Sequence, residues 1–371
     1  MNITILCKVV DNFGDIGVVY RMAKGLVAYG QKYGQNLSIN IVVDDLKSFH
    51  NINSLVKENV SLQQVESLNI YNSKDYDFCY KAFSENDGEL FGVVLECFQC
   101  GRPDWMEKIL FDDKLQHTVH IIMIDYLTAE KYAEDFHKLD SLTRSAKVQK
   151  VNFMPGFTEK TGGLIIGEKW KNWIESGNRN KEGPAFIFTY DRDWTPLIKS
   201  LKDNNKKLVV AQGKGKETVL KACNSVKIPQ SSIRELPFIN QDKWDDEMMA
   251  ASVLFIRGEE SMSRACLSGI PFVWHAYPQS DEYQLVKVNA LLERIKRHFK
   301  PEDFEIVRKI WLDFNSPESE VDSSLFEKDC VKFIENIEAF AYGFEDFAKS
   351  LLKNGDLCTN LMTFINKKVI L

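Results

Sequence analysis

The chain has 371 residues, of which 44% are hydrophobic and 27% charged, and its net charge is −6. That length is too great for one compact core and predicts two domains. The acidic balance argues against broad nucleic-acid binding, and no run of 18 apolar residues exists to form a membrane span.

The opening reads strand, acidic glycine loop, helix. The apolar run ITILCKVV predicts a strand over 3–10, and VVDNFGDIG follows at 9 to 17. Val19, Met22, Ala23 and Leu26 then recur at helical spacing, which predicts a helix over 17–30. This is the start of a doubly wound α/β domain, whose ligands gather at the carboxyl ends of its strands. Gly14 and Gly17 would let the backbone turn and approach a ligand closely. The loop does not match G-x-G-x-x-G, and it carries Asp11 and Asp15 where a dinucleotide pyrophosphate would sit, so a dehydrogenase is disfavoured. Two readings stay open for these carboxylates. They suit proton abstraction or recognition of a cationic group, or they hold an Asx turn.

Further strands are expected at 38–44, 92–97, 119–125 and 148–153, with helices at 104–110 and 128–136. The polar stretch KNWIESGNRNKEGP, 171 to 184, is the candidate linker. After it come AFIFTY, a helix near 194–203, KLVVAQ, SIRELPF, a helix over 241–251, VLFIRG, a helix over 261–268, PFVWHAY and a helix over 281–296. Such alternation predicts a parallel sheet covered on both faces. From 302 onward the pattern is helical. Met1 leads directly into a strand, so no signal peptide is expected. The eight cysteines form no disulfide framework, and several lie in apolar runs, which predicts reduced thiols in a cytoplasmic protein.

The most informative stretch is RGEESMSRA at 257 to 265, after the apolar run ASVLFI. A buried strand feeding a helix directs backbone N–H groups and a partial positive charge at one point, a ready phosphate site. Glu259 and Glu260 would repel phosphate, which makes sense if one of them binds sugar hydroxyls. First-turn acids stabilising an ordinary helix are the competing explanation. Other constellations point to structure. Asp191 and Asp193 spell D-x-D but precede a helix, which favours capping over metal binding. Cys97 and Cys100 form a lone C-x-x-C with no second pair. His275 lies in an apolar strand and suits the interior. Gly213, Lys214 and Gly215 lack the spacing and the Ser or Thr of a P-loop. Trp274 and Tyr277 are core by default.

Taken together, these stretches resemble the EarP-type protein-arginine rhamnosyltransferases, bacterial enzymes that transfer rhamnose from dTDP-β-L-rhamnose to one arginine of translation elongation factor P. The resemblance is carried by VVDNFGDIGVVYR, by FMPGFTEKTGG at 153 to 163, and by the F-x-Y of Phe188 and Tyr190. It continues through LPFINQDKWD at 236 to 245, RGEESMSRA, GIPFVWHAYPQ at 269 to 279 and LVK at 285 to 287. The family usually has R-G-E-D-S, and Glu260 here replaces the aspartate with a longer arm of the same charge.

The resemblance implies an α/β fold of the GT-B glycosyltransferase architecture, with two facing Rossmann-like domains and a cleft between them. Residues 1–172 would form an acceptor-binding domain and 182–344 a nucleotide-sugar-binding domain, with a helix in 345–371 returning to the first. It implies a donor pocket of Phe188, Tyr190, Phe238, Gln241, Trp244, Arg257, Glu259, Glu260 and Ser261. Aromatic groups would face thymine, Gln241 its carbonyl oxygens, and Tyr190, Arg257 and the N–H groups of Glu260 and Ser261 the diphosphate. Phe238, after Pro237, also fits a core position. A β-linked donor and an α-linked product imply inversion by single displacement. The acceptor guanidinium, with a pKa of about 12.5–13.8, arrives protonated and needs a carboxylate to orient it and take a proton as the C–N bond forms. Asp15 is the candidate base, supported by Asp11, and Glu259 the candidate for holding donor or acceptor. Asn12, Phe13, Gly14 and Gly17 complete the acceptor-side loop. No metal or cofactor is expected, and the partners are elongation factor P and dTDP-β-L-rhamnose, without nucleic acid or membrane. The alternatives are a GT-B transferase with another nucleotide sugar or acceptor, and a non-catalytic nucleotide- or protein-binding module. A pure binder would not need Asp15.

Overall fold

The computed structural model describes residues 1–10 and 14–369. The chain divides into two compact units, Met1–Gly167 with Asn354–Leu371, and Glu168–Lys353.

The first unit is built on an eight-stranded sheet. Its strands are β1 (Asn2–Cys7), β2 (Ser38–Val43), β3 (Leu62–Val65), β4 (Leu68–Asn72), β5 (Val93–Cys97), β6 (Val119–Ile124), β7 (Asp140–Ser141) and β8 (Val148–Phe153). Their order is β3-β4-β2-β1-β5-β6-β8-β7. The central strands are parallel, and only the edge pairs β3–β4 and β7–β8 are antiparallel. β1 and β5 are buried on both faces, which is why their sequences are mostly apolar rather than alternating, with Thr4 and Glu96 as buried exceptions. After β1 the helix Gly14–Tyr33 buries Ile16, Val19, Met22, Ala23 and Leu26, as the helical spacing requires. It ends at Gly34, whose φ of +64° is the left-handed conformation that glycine adopts without a Cβ clash. The chain order reverses between β1 and β5, so the topological switch of this sheet lies at the carboxyl ends of those two strands.

The second unit holds a five-stranded, fully parallel sheet. Strands β9 (Ala185–Ile187), β10 (Leu208–Ala211), β11 (Ile233–Leu236), β12 (Val253–Arg257) and β13 (Phe272–His275) lie in the order β11-β10-β9-β12-β13. The switch falls between β9 and β12. Residues singled out by the sequence stand at both strand ends, Phe188 just after β9 and Arg257 as the last residue of β12.

Two boundaries differ from the sequence expectation. The stretch 171–184 is not a plain linker, because Gly167–Ser176 is a helix that packs on the second unit. Trp170 is buried and donates Nε1–H to Asp245 at 2.9 Å, Trp173 donates to the Ser268 carbonyl at 2.8 Å, and Ile174 is buried. Apolar residues at 170, 173 and 174 are a helical stripe hidden among polar neighbours. The return to the first unit also comes later than residue 345. The helix Ile337–Leu352 stays with the second unit, its Phe344 ring 5.3 Å from that of Phe272. Only the helix Leu357–Val369 joins the first, burying Leu357, Cys358, Leu361, Met362 and Ile365 in its core. Each large apolar side chain there contributes roughly 1.5–3 kcal/mol. The fit against the first helix is close: a Cβ on Gly25 would lie 2.6 Å from Cys358 Sγ.

Candidate functional site

At the switch of the first sheet, one carboxylate is held from two sides. Asp15 lies in the first turn of the helix Gly14–Tyr33 and is only 3% exposed. Its Oδ2 accepts the Val10 N–H at 2.8 Å, and its Oδ1 accepts the Tyr126 hydroxyl at 3.2 Å. The Tyr126 ring stacks on Phe98, with centroids 4.6 Å apart. Phe98 follows β5 and Tyr126 follows β6, so three strand ends meet at this carboxylate. The neighbouring Asp44, after β2, accepts the Val9 N–H at 2.9 Å. The thiols nearby are protonated. Burial, then the Asp15 charge, pushes Cys7 well above the usual thiol range, and burial brings Cys100 to about 11.

The structure alters the reading of this loop in one respect. Gly14 and Gly17 belong to the first turn of the helix rather than to a glycine loop, because the helix begins before the acid that stabilises its N-terminus. Asp11, Asn12 and Phe13 lie outside the described residues.

At the switch of the second sheet, rings enclose a cation. The Arg257 guanidinium lies 4.4 Å from the Phe188 ring centre and 4.7 Å from that of Tyr190. Trp244 meets Phe188 edge-on at 4.9 Å and Phe186 at 5.1 Å. Phe188, Tyr190, Trp244 and Arg257 thus form one cluster. Arg257 has no carboxylate partner among the described residues, and its buried Nε makes no hydrogen bond. Cation–π stacking with two rings holds the guanidinium without neutralising it, so the charge remains available to an anion. Gly258 follows with φ +76° and ψ 153°, and it opens the helix Glu259–Ser268 without a side-chain cap. Glu259 and Glu260 occupy the first turn and Ser261 is buried there. Glu259 pairs with Lys287, the last residue of LVK, at 3.4 Å, and Glu260 lies 3.5 Å from buried Arg264. Gln241 starts the helix Gln241–Met249, capped by the Asn240 side chain accepting from the Lys243 N–H at 3.0 Å. Phe238 is 58% exposed, so it is not a core residue.

His275 is interior, as its apolar strand suggests. It accepts the Tyr190 N–H on Nδ1 at 3.3 Å. Burial, reinforced by Arg192 and Arg257, holds its pKa down to about 3, so it stays neutral and braces Tyr190. Asp193 accepts the Thr195 N–H at 2.9 Å and donates its own N–H to Glu318, which gives the D-x-D a role in the turn. Among the described residues no group of three His, Cys, Asp or Glu could hold a metal ion.

Several residues escaped the sequence reading. Tyr126 carries no motif of its own, and only tertiary contact with Asp15 reveals it. Tyr277, expected in the core, is 56% exposed and lies 5.5 Å from the Tyr190 ring. Asn315 is buried at the end of the helix Pro301–Asn315. It donates to the Trp274 carbonyl and accepts from the Ala276 N–H, both at 2.8 Å, which fixes the segment that leads to Tyr277. Arg192 donates to the Phe314 carbonyl at 2.8 Å and ties the turn after Tyr190 to the same helix end.

Residues 3–366 match the family described as elongation factor P (EF-P) rhamnosyltransferase EarP. The chain belongs to this family. It is 27% identical over 412 residues to a protein-arginine rhamnosyltransferase of Shewanella oneidensis, covering 98% of this chain and 97% of the relative. It is 28% identical over 340 residues to that of Pseudomonas aeruginosa, covering 84% and 86%. Among solved structures, one described as the structural basis for EarP-mediated arginine glycosylation of EF-P aligns with a TM-score of 0.56 and 17% identity over 98% of both chains. A putative UDP-N-acetylglucosamine 2-epimerase from Listeria monocytogenes aligns with a TM-score of 0.52 and 9% identity, over 99% of this chain and 96% of that one. The shared fold is the GT-B class, built from Rossmann-like parallel sheets. The family is one of protein-arginine rhamnosyltransferases, and the chain is therefore a glycosyltransferase.

Proposed function

We propose that the chain transfers rhamnose from dTDP-β-L-rhamnose to one arginine of translation elongation factor P, with inversion at the anomeric carbon. The observation that carries the acceptor half is the buried Asp15 carboxylate, oriented by the Val10 N–H and the Tyr126 hydroxyl. A fixed carboxylate can bind a guanidinium by paired hydrogen bonds and accept its proton as the nitrogen attacks. Two oriented oxygens also keep the nucleophile from rotating away, which lowers the entropic part of the barrier. Asp11 supports this base in the proposal.

The donor half rests on the second cluster. Trp244 and Phe188 offer ring faces and edges to a base, Gln241 offers amide groups, and Phe238 adds an exposed ring. Arg257, Tyr190 and the start of the helix Glu259–Ser268, with Glu260 and Ser261, suit a diphosphate on which charge grows as it departs. Glu259, steadied by Lys287, suits a sugar hydroxyl. No metal or cofactor is needed when Arg257 and helix N–H groups take that charge. The setting is the cytoplasm, where the eight free thiols stay reduced. No helix among the described residues is long and apolar enough to cross a membrane.

Intact-mass analysis of elongation factor P, incubated with this protein and dTDP-β-L-rhamnose, tests the proposal. A single added deoxyhexose, mapped to an arginine, is expected. An unmodified acceptor, or one modified only from another nucleotide sugar, would overturn it.

A further inference from the structure

The turn at 212–216 has no role in the reaction described so far. It connects β10 to the helix Lys216–Ser225 at the carboxyl edge of the second sheet, beside the end of β9. Its sequence QGKGK only superficially resembles a phosphate loop, yet its two glycines are used in a specific way. A Cβ on Gly215 would lie 2.6 Å from the Tyr190 carbonyl oxygen and 2.7 Å from that of Thr189. A Cβ on Gly213 would lie 2.7 Å from the Phe188 ring and 3.3 Å from Arg257 Nη2. The turn therefore lies flush against the Phe188–Tyr190 segment and the Arg257 guanidinium, where any other residue would push it away. Hydrogen bonds fix it there: Gly215 donates to the Thr189 carbonyl at 3.1 Å, and Gln212 to that of Leu236 at 2.8 Å.

Lys214 stands between the two glycines, exposed, with Nζ 5.4 Å from the centre of the Tyr277 ring. Tyr277 in turn meets Tyr190. The next lysine shows the contrast. Lys216 is taken up by Glu235 at 2.7 Å and the Gln212 side chain at 3.0 Å. Lys214 has no carboxylate partner among the described residues and rests only on an aromatic face. A cation displayed from a rigid turn, one residue from the glycine that abuts Arg257, is placed to share an anion with that guanidinium.

We propose that Lys214 is a second cation of the donor site and contacts the diphosphate of the bound nucleotide sugar. This rests on the reading of the donor site given above. Two cations from different strand ends, β10 and β12, would grip both phosphates and stabilise the departing nucleoside diphosphate better than Arg257 alone. A mobile ammonium on a fixed backbone also suits a group whose charge rises during the reaction.

Calorimetric titration of dTDP and of thymidine into the parent, Lys214→Ala and Lys214→Arg tests this. In Lys214→Ala the dTDP affinity should fall by about ten- to a hundredfold, the usual effect of losing a hydrogen bond to a charged group, while thymidine affinity stays as in the parent. The salt dependence of dTDP binding should flatten, and Lys214→Arg should restore most of the affinity. Parent-like dTDP binding by Lys214→Ala overturns the proposal. An equal loss for dTDP and thymidine overturns it too, because it would show that the lysine merely holds the turn. If the parent binds UDP or GDP but not dTDP, the donor identity fails and the same diphosphate-against-nucleoside comparison is read with that base. If the parent binds no nucleoside diphosphate, the donor site and Lys214 fall together.

Discussion

Tyr126 donates its hydroxyl to the Asp15 carboxylate at 3.2 Å, across 111 residues of sequence. The contact gives the carboxylate an orientation that its own helix does not supply. Tyr126→Phe keeps the stacking on Phe98 and removes only this hydrogen bond. The expected result is a fall of about tenfold in kcat, in line with roughly 1.5 kcal/mol for a hydrogen bond to a charged group, with dTDP affinity unchanged. Steady-state kinetics with calorimetry checks both; a kcat equal to that of the parent would remove Tyr126 from the mechanism.

Asp15→Asn tests the base itself. Asparagine keeps the size and still accepts on one oxygen, but it cannot take the proton of the guanidinium. The expected loss is on the order of 10²–10⁴-fold in kcat, with donor binding retained. Normal turnover would sink the assignment.

Donor binding is expected to depend on the second unit alone. Tyr190→Ala and Arg257→Ala should each weaken dTDP binding by roughly 1–3 kcal/mol. Asp11→Ala, in the first unit, should leave it unchanged. Titration of dTDP into the three variants separates the assignments, and the reverse pattern would refute them.

Activity is expected to survive EDTA, because fixed dipoles and cations can do the work of a divalent ion on the diphosphate. Loss of turnover, restored by added Mg²⁺ or Mn²⁺, would instead direct attention to Asp191 and Asp193.

His275 should make the second unit sensitive to acid. Its folded pKa of about 3 lies below the usual value of 6.5, so the unfolded chain binds the proton first. Its contribution is present above pH 6.5 and is lost as pH falls toward 3. At pH 5 the loss is roughly 2 kcal/mol. Urea unfolding at pH 7 and pH 5 should show that much less acid sensitivity in His275→Gln than in the parent. Equal pH dependence in both proteins would exclude the buried imidazole as its source.

The inner strands were legible because β2, β5 and β6 are mostly apolar and buried, and β8 places Val148, Val151 and Phe153 inside. The expected strands at 38–44, 92–97, 119–125 and 148–153 match β2, β5, β6 and β8 within a residue at either end. The edge strands β3 and β7 and the neighbouring β4 were not, since LQQV and LNIYN mix polar and apolar residues, and Asp140–Ser141 has two residues only. The helix Lys216–Ser225 was missed as well; KETVLKACNS buries only Val219, Ala222 and Cys223, too narrow a stripe to stand out. The site divides in the same way. Residues in continuous motifs, such as Asp15, Phe188, Tyr190 and Arg257, were candidates from sequence, and the structure gathers the last three in one cluster. Tyr126 and Asn315 were not, and Lys214 was noted only in a turn set aside for lacking P-loop spacing, because each matters through a neighbour distant in the chain.

The last helix has a consequence for biosynthesis. The core of the first unit includes Leu357, Leu361 and Ile365, whereas the second unit is one continuous stretch, Glu168–Lys353. A ribosome therefore completes the whole second unit while the first unit still lacks a wall of its interior. Until residues 357–365 are made, the apolar face of the helix Gly14–Tyr33 that receives Cys358 stays open to solvent and to chaperones. A truncation that removes residues after 353 would leave the second unit intact and expose that face permanently, so a chain cut short there displays its own incompleteness to proteases.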